Sequence, residues 1–174
     1  MKRIADFLLE IDGLKLFPRT GWFCIGVEKP ESVSAHVFGA MVAGYVLAGL
    51  EGADRNKVIR MILIHDISEC RTGDLHRTAK KYAKIDERRA LADILSNIGD
   101  RQDTENLLSL FDEFCAQKTK EAIVAKDADT LDFIAKAVSY YKAGNKNALR
   151  WALDGCKSLK TKSARRIAKL LVSS

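Results

Sequence analysis

Downstream of Pro30 the apolar residues recur every three or four positions, and no run alternates strictly between apolar and polar. That spacing is the signature of amphipathic helices and not of strands. Proline, which removes a backbone N–H and breaks helix interiors, occurs only as Pro18 and Pro30. The periodicity predicts about eight helices, near residues 2–12, 32–50, 55–69, 84–98, 104–117, 120–143, 145–155 and 161–172. The stretch FPRTGWFCIGVEKPE after the first of them reads as non-helical and aromatic. Asp54 suits an N-cap, and Gly99 and Gly144 suit helix ends. Helix 32–50 is dense in small residues (Gly39, Ala40, Ala43, Gly44, Ala48, Gly49), so it must approach its neighbours closely. There is no internal repeat and no linker, and the chain is expected to be all-α, with residues 1–174 forming one domain and 157–174 a basic C-terminal helix.

Composition narrows the class. A chain of 174 residues with 47% hydrophobic and 30% charged residues can bury roughly 70% of its unfolded surface without disulfide staples. No stretch approaches the ~20 uninterrupted apolar residues of a membrane span, and MKRIADFLLEIDGLK carries charge on both sides of a short amphipathic run, unlike a signal peptide. Cys24, Cys70, Cys115 and Cys156 form no CxxC pair, which argues against a thiolate zinc site and for free thiols in a cytoplasmic protein. The net charge of +6 resides in Lys157, Lys160, Lys162, Arg165, Arg166 and Lys169, with no acid among residues 157–174. A basic terminal helix, solvated or lying on a partner, explains that better than a nucleic-acid-reading domain.

The chemistry begins at Met61-Ile62-Leu63-Ile64-His65-Asp66-Ile67-Ser68-Glu69, where an apolar helix runs into a histidine and an aspartate. An unpaired carboxylate is costly to bury, so Asp66 needs a cation, a metal or strong donors. Glu69 follows His65 by four and Asp66 by three, one face of a continuing helix. His36 interrupts another small-residue helix, and Asp127 and Asp129 interrupt a third. Periodicity does not choose between these two aspartates: Asp127 aligns with Leu131, Ile134 and Val138, and Asp129 with Phe133 and Lys136. Two imidazoles with two carboxylates would suit one divalent transition metal (Mn, Fe, Co, Ni or Zn), with positions open to water and substrate.

The order His, His-Asp, Asp on helices resembles the HD superfamily of metal-dependent phosphohydrolases. Arg19-Thr20-Gly21-Trp22, Glu31-Ser32-Val33, Thr72-Gly73-Asp74 and Lys126-Asp127-Ala128-Asp129 are similar to its single-domain branch, which includes the bacterial 5'-deoxynucleotidase and HD-domain-containing protein 2. The resemblance implies a single compact HD-domain helical bundle. It implies a metal held by His36, His65, Asp66 and Asp129, the family's last aspartate lying in an Asp-x-Leu step. Glu69 and Asp74 match the acidic pair near the scissile phosphate, Arg19 the phosphate-holding arginine and Trp22 the residue packed on the sugar. His76, the remaining histidine, reads as a loop residue, so one metal is expected and not two.

The implied activity removes the 5'-phosphate from nucleoside monophosphates, preferably deoxy forms, in a cytoplasmic homodimer. Glu69 or Asp74 would orient or deprotonate the attacking water, and one of them would protonate the leaving oxygen. Ala35 stands where relatives carry an acid, and residues 23–26 lack an arginine that relatives carry, with Arg77, Lys80, Lys81 and Arg88 available in its place. Two other readings compete: hydrolysis of nucleoside di- or triphosphates or signalling nucleotides, and a non-catalytic helical module with a structural metal and a working basic tail.

Overall fold

Side-chain caps set most of the helix starts. A computed structural model describes residues 1–96, 98 and 101–173. Its helices are α1 (Lys2–Asp12), α2 (Val33–Glu51), α3 (Arg55–His65), α4 (Glu69–Thr72), α5 (Glu87–Leu95), α6 (Arg101–Ala116), α7 (Lys120–Lys142), α8 (Lys146–Ser158) and α9 (Lys162–Ser173). Ser32, Asp54, Asp86, Thr119 and Asn145 each accept a backbone N–H from the first turn that follows them, satisfying donors the helix itself leaves open. Asp54 is the cap expected for α3. Gly144 follows α7 with φ +105°, a conformation other residues rarely adopt. The end expected at Gly99 lies outside the described residues.

The expected helix 55–69 is two elements. α3 stops at His65, Asp66 leaves helical geometry at φ −109° and ψ 7°, and α4 starts at Glu69. The aromatic stretch is more regular than expected, with 3-10 turns at Gly13–Lys15 and Thr20–Ile25. Helix 84–98 is shorter, as Glu87–Leu95, and helix 104–117 begins earlier, at Arg101.

α7 is the hub, packed against α2, α3, α6, α8 and α9. The small residues of α2 do what their density predicts: Ala40 and Ala48 are wholly buried, and a side chain at Gly44 would run into Val58 and Ile62 of α3. A smaller core of Ile64, Ile67, Leu91, Ile94, Leu95, Leu108 and Phe111 joins α3, α5 and α6. By length and composition α2, with mean hydropathy 1.7, could cross a membrane, contrary to the expectation that no segment would. Here its inner face, with His36, Ala40 and Leu47, is built into the bundle.

Candidate metal centre and active site

Three helices converge on one point between the two cores. His36 comes from α2, His65 from the last residue of α3, Asp66 from the break that follows it, and Asp129 from α7. At the end of α3, Asp66 Oδ2 stands 3.2 Å from His65 Nε2 and 3.8 Å from His36 Nε2. Asp129 Oδ1 lies 2.9 Å from His36 Nε2 and 3.8 Å from His65 Nε2.

Both Nε2 atoms are buried without a hydrogen-bond partner, although carboxylate oxygens stand close by. Tetrahedral ligands held about 2.1 Å from a common ion stand about 3.4 Å apart. Ligand atoms of His36, His65 and Asp66 all lie within 4.8 Å of one another. Two orphaned imidazole nitrogens facing two carboxylates are a donor set that fits one divalent cation. The outer nitrogens are already committed, His65 Nδ1 at 2.6 Å from the carbonyl of Ile62 and His36 Nδ1 at 2.8 Å from Asp132 Oδ2. Ala35 therefore leaves no gap behind the first histidine, since α7 supplies the carboxylate there.

Burial opposes a charged His65, but Asp66 and Asp129 outweigh it and push its pKa up to about 10. His36 rises to about 8, burial being overcome by the neighbouring carboxylates of Asp129 and Asp132. Asp129 stays well below the usual carboxylate range despite its burial, held there by Lys126 and the two histidines. Lys126 Nζ is 2.7 Å from Asp129 Oδ2 and 5.6 Å from the centre of the Phe114 ring.

Beside this centre, Arg19 Nη1 donates to Asp66 Oδ2 at 3.1 Å, and Arg19 Nε lies 3.9 Å from Asp74 Oδ2. Asp74 is locked to the same loop: its Oδ2 accepts the Thr20 N–H at 2.8 Å, and its carbonyl accepts the Thr20 hydroxyl at 2.7 Å. Glu69 is buried, with Oε2 unpartnered. Burial, then the charges of Asp66 and Asp74, push its pKa up to about 8. It faces the cluster from the first turn of α4, not from a continuation of α3 as the spacing argument assumed.

Arg19, His65, Asp66, Glu69, Asp74, Lys126 and Asp129 line one cavity of about 860 Å³, whereas His36 and Asp132 stand behind its wall. Trp22 is 2% exposed, stacked on Phe133 at 4.9 Å and donating from Nε1 to Glu31 Oε1 at 3.1 Å. It is a core anchor that also gives the cavity part of its wall, beside Phe133 and Trp151. His76, Arg77 and Lys80 line the cavity too, whereas Arg88 forks onto Asp112 elsewhere. Asp127 turns away, accepting the backbone N–H groups of Lys160 and Thr161 ahead of α9. Lys126, Asp132 and Phe133 escaped the assignment of roles from sequence, although each stands three or four residues from Asp129 on the same helix face. Trp151, on α8, has no such local signal.

A family model described as HD domain matches residues 11–171. The chain is 34% identical over 152 residues to 5'-deoxynucleotidase HDDC2 of Dictyostelium discoideum, covering 82% of this chain and 80% of that protein. A conserved hypothetical protein from Pyrococcus furiosus superposes with TM-score 0.77 at 28% identity, over 97% of this chain and 96% of the other. At 17% identity and TM-score 0.56, over 95% and 93% of the two chains, the fold extends to an HD phosphohydrolase of cyanophage S-2L, a structure bound to dA and one catalytic Zn²⁺ ion.

Proposed function

The chain belongs to the HD domain family, and on that footing we propose that it is a metal-dependent phosphohydrolase that removes the 5'-phosphate from nucleoside monophosphates, deoxy forms preferred. The observation that carries this reading is the pair of buried, unpartnered Nε2 atoms of His36 and His65 facing Asp66 and Asp129, with His65, Asp66 and Asp129 in the wall of a substrate-sized cavity. The deoxy preference draws on the name of the Dictyostelium relative.

His36, His65, Asp66 and Asp129 would hold one divalent transition metal of the Mn, Fe, Co, Ni or Zn group. Such an ion, when bound, supplies Lewis acidity at the phosphoryl group and makes water nucleophilic near neutral pH. Arg19, held between Asp66 and Asp74, carries more N–H donors than these contacts use and offers them to the phosphate oxygens. Asp74, tied to Thr20, fixes that arginine and the loop bearing it. Glu69, pushed up to about 8, takes up or releases a proton at Oε2 near neutral pH, so it can accept one from the attacking water and return one to the leaving 5'-oxygen. Trp22, Phe133 and Trp151 supply an apolar wall for the nucleoside. Arg77 and Lys80 stand in the same cavity where residues 23–26 lack an arginine.

A second copy of the chain is the expected partner. Phe38, Val42, Tyr45, Val46 and Leu50 form one exposed face of α2, each more than half exposed, an apolar stripe suited to pairing. Four free cysteines fit a cytoplasmic setting.

The test is phosphate release from deoxy- and ribonucleoside mono-, di- and triphosphates. Metal-stripped protein would be resupplied separately with Mn, Co, Ni, Zn or Mg. Metal-dependent release from the monophosphates, lost in His65→Ala and Glu69→Gln, is expected. Release confined to longer phosphate chains would overturn the monophosphatase reading, and no release with any metal would overturn the enzymatic one.

A further inference from the structure

Building on the reading of His36 as a metal ligand, we propose that Asp132 and Gly39 are a matched pair that aims the His36 imidazole. Asp132 is a positioning residue, and Gly39 is the notch in α2 that admits its carboxylate. The ring is clamped between two aspartates of one helix, Asp129 Oδ1 lying 2.9 Å from Nε2 and Asp132 Oδ2 2.8 Å from Nδ1. These carboxylates stand three residues apart on α7 and so share a face. A proton held on Nδ1 and donated to Asp132 leaves the Nε2 lone pair for the metal and stops the ring from turning.

The notch is the independent observation. A Cβ on Gly39 would lie 2.8 Å from Asp132 Cγ and fall on its carboxylate. Gly39 is not among the residues with positive φ, so its backbone would accept a side chain. Glycine weakens a helix interior relative to alanine, and here the space it leaves is filled by the Asp132 carboxylate. The two histidines are thus oriented differently: His65 by the backbone carbonyl of Ile62, which no substitution removes, and His36 by a side chain that can be removed.

Glu31, His36 and Asp132 also gather ligand atoms within 4.8 Å of one another. They are not a second metal centre. Glu31 accepts the Trp22 indole N–H at 3.1 Å and lies 3.8 Å from Lys136 Nζ, and His36 turns only its Asp132-bound Nδ1 toward them.

The experiment uses the full chain, stripped of metal. Co²⁺ and Zn²⁺ affinities are measured by competition with a chromophoric chelator, alongside the visible absorption of the Co²⁺ form and thermal unfolding by circular dichroism. Asp132→Ala and Gly39→Ala each weaken binding by about 10–100-fold and alter the Co²⁺ spectrum alike. Asp132→Asn, which keeps an acceptor oxygen without the charge, falls between them and the wild type. The double variant binds no more weakly than Asp132→Ala, because without the carboxylate the added methyl has nothing to displace.

Wild-type affinity and an unchanged spectrum in Asp132→Ala and Asp132→Asn would overturn the proposal. So would losses from Asp132→Ala and Gly39→Ala that multiply in the double variant. Should Gly39→Ala fail to fold, the two Asp132 variants decide. A wild-type chain that binds neither metal would overturn the ligand assignment and this pairing with it. Tight wild-type binding with unaffected variants would overturn the pairing alone.

Discussion

His36, His65 and Glu69 hold protons in the folded chain at pH values where free side chains release them. Burial by itself would lower the two histidines, but Asp129 with Asp132 raise His36 to about 8, and Asp66 with Asp129 raise His65 to about 10. Glu69 is raised to about 8 by burial, reinforced by Asp66 and Asp74. For all three the folded pKa exceeds the unfolded one, so their contribution to stability is full below the unfolded value and is lost as pH rises through the folded value. For Glu69 that loss runs from about pH 4.5 to 8, and for the histidines from about 6.5 up to 8 and 10. The metal-stripped protein is therefore expected to melt at progressively lower temperature between pH 5 and 9. Glu69→Gln should flatten the part below pH 8 and lower the phosphohydrolase rate by about 10²–10⁴-fold. A melting temperature that climbs over this range in the stripped protein would contradict the proton assignment. Metal must displace the protons on Nε2, so apparent affinity should rise with pH, by up to about tenfold per unit for each proton released. Chelator competition at pH 6, 7 and 8 measures that slope, and a flat profile would mean that the imidazoles are already neutral.

Within α7, two aspartates two residues apart serve different purposes. Asp129 faces the histidines, while Asp127, 2% exposed, accepts the backbone N–H groups of Lys160 and Thr161 ahead of α9. Hydrogen bonds to a charged group are worth about 1.5–3 kcal/mol each. Asp127→Ala is accordingly expected to cost about 3 kcal/mol by denaturant unfolding and leave metal stoichiometry at one. Asp129→Ala should abolish metal binding. Equal loss of metal in both variants would show that the assignment within Lys126-Asp127-Ala128-Asp129 is wrong. The end of α3 has a comparable division of labour, His65 closing the helix and Asp66 standing at its cap with Oδ2 3.2 Å from His65 Nε2. Glu69 likewise owes its place to α4 starting afresh at that residue.

Taken as a whole, the bundle is apolar on an outer face as well as inside. Phe38, Val42, Tyr45, Val46 and Leu50 are 51–71% exposed along one side of α2, whose other side carries His36. Pairing through this face would brace the helix that carries His36. Val42→Asp is expected to shift a dimer to monomer in sedimentation velocity and to weaken catalysis less than any substitution at the metal ligands. A wild-type chain that sediments as a monomer at micromolar concentration would remove the dimer from the picture. The basic residues of α9 play no part in the cavity wall, so truncation there should alter stability before it alters activity.

Helical periodicity, capping residues and the small-residue density of α2 are local properties, and they determined the all-α class, most element positions and the close approach at Gly44. The polar interruptions at His36, His65-Asp66 and Asp127/Asp129 marked the site for an equally local reason, since charged groups in apolar helices require partners. Which aspartate faces the centre is not a local property: both lie in buried surroundings, and only the packing of α2, α3 and α9 around α7 separates them. The break after His65, the reach of Asp132 across the gap at Gly39, and the seating of Trp22 between Phe133 and Tyr140 were likewise decided in three dimensions. Each depends on the distance between segments far apart in the chain, and periodicity along one helix carries no record of that distance.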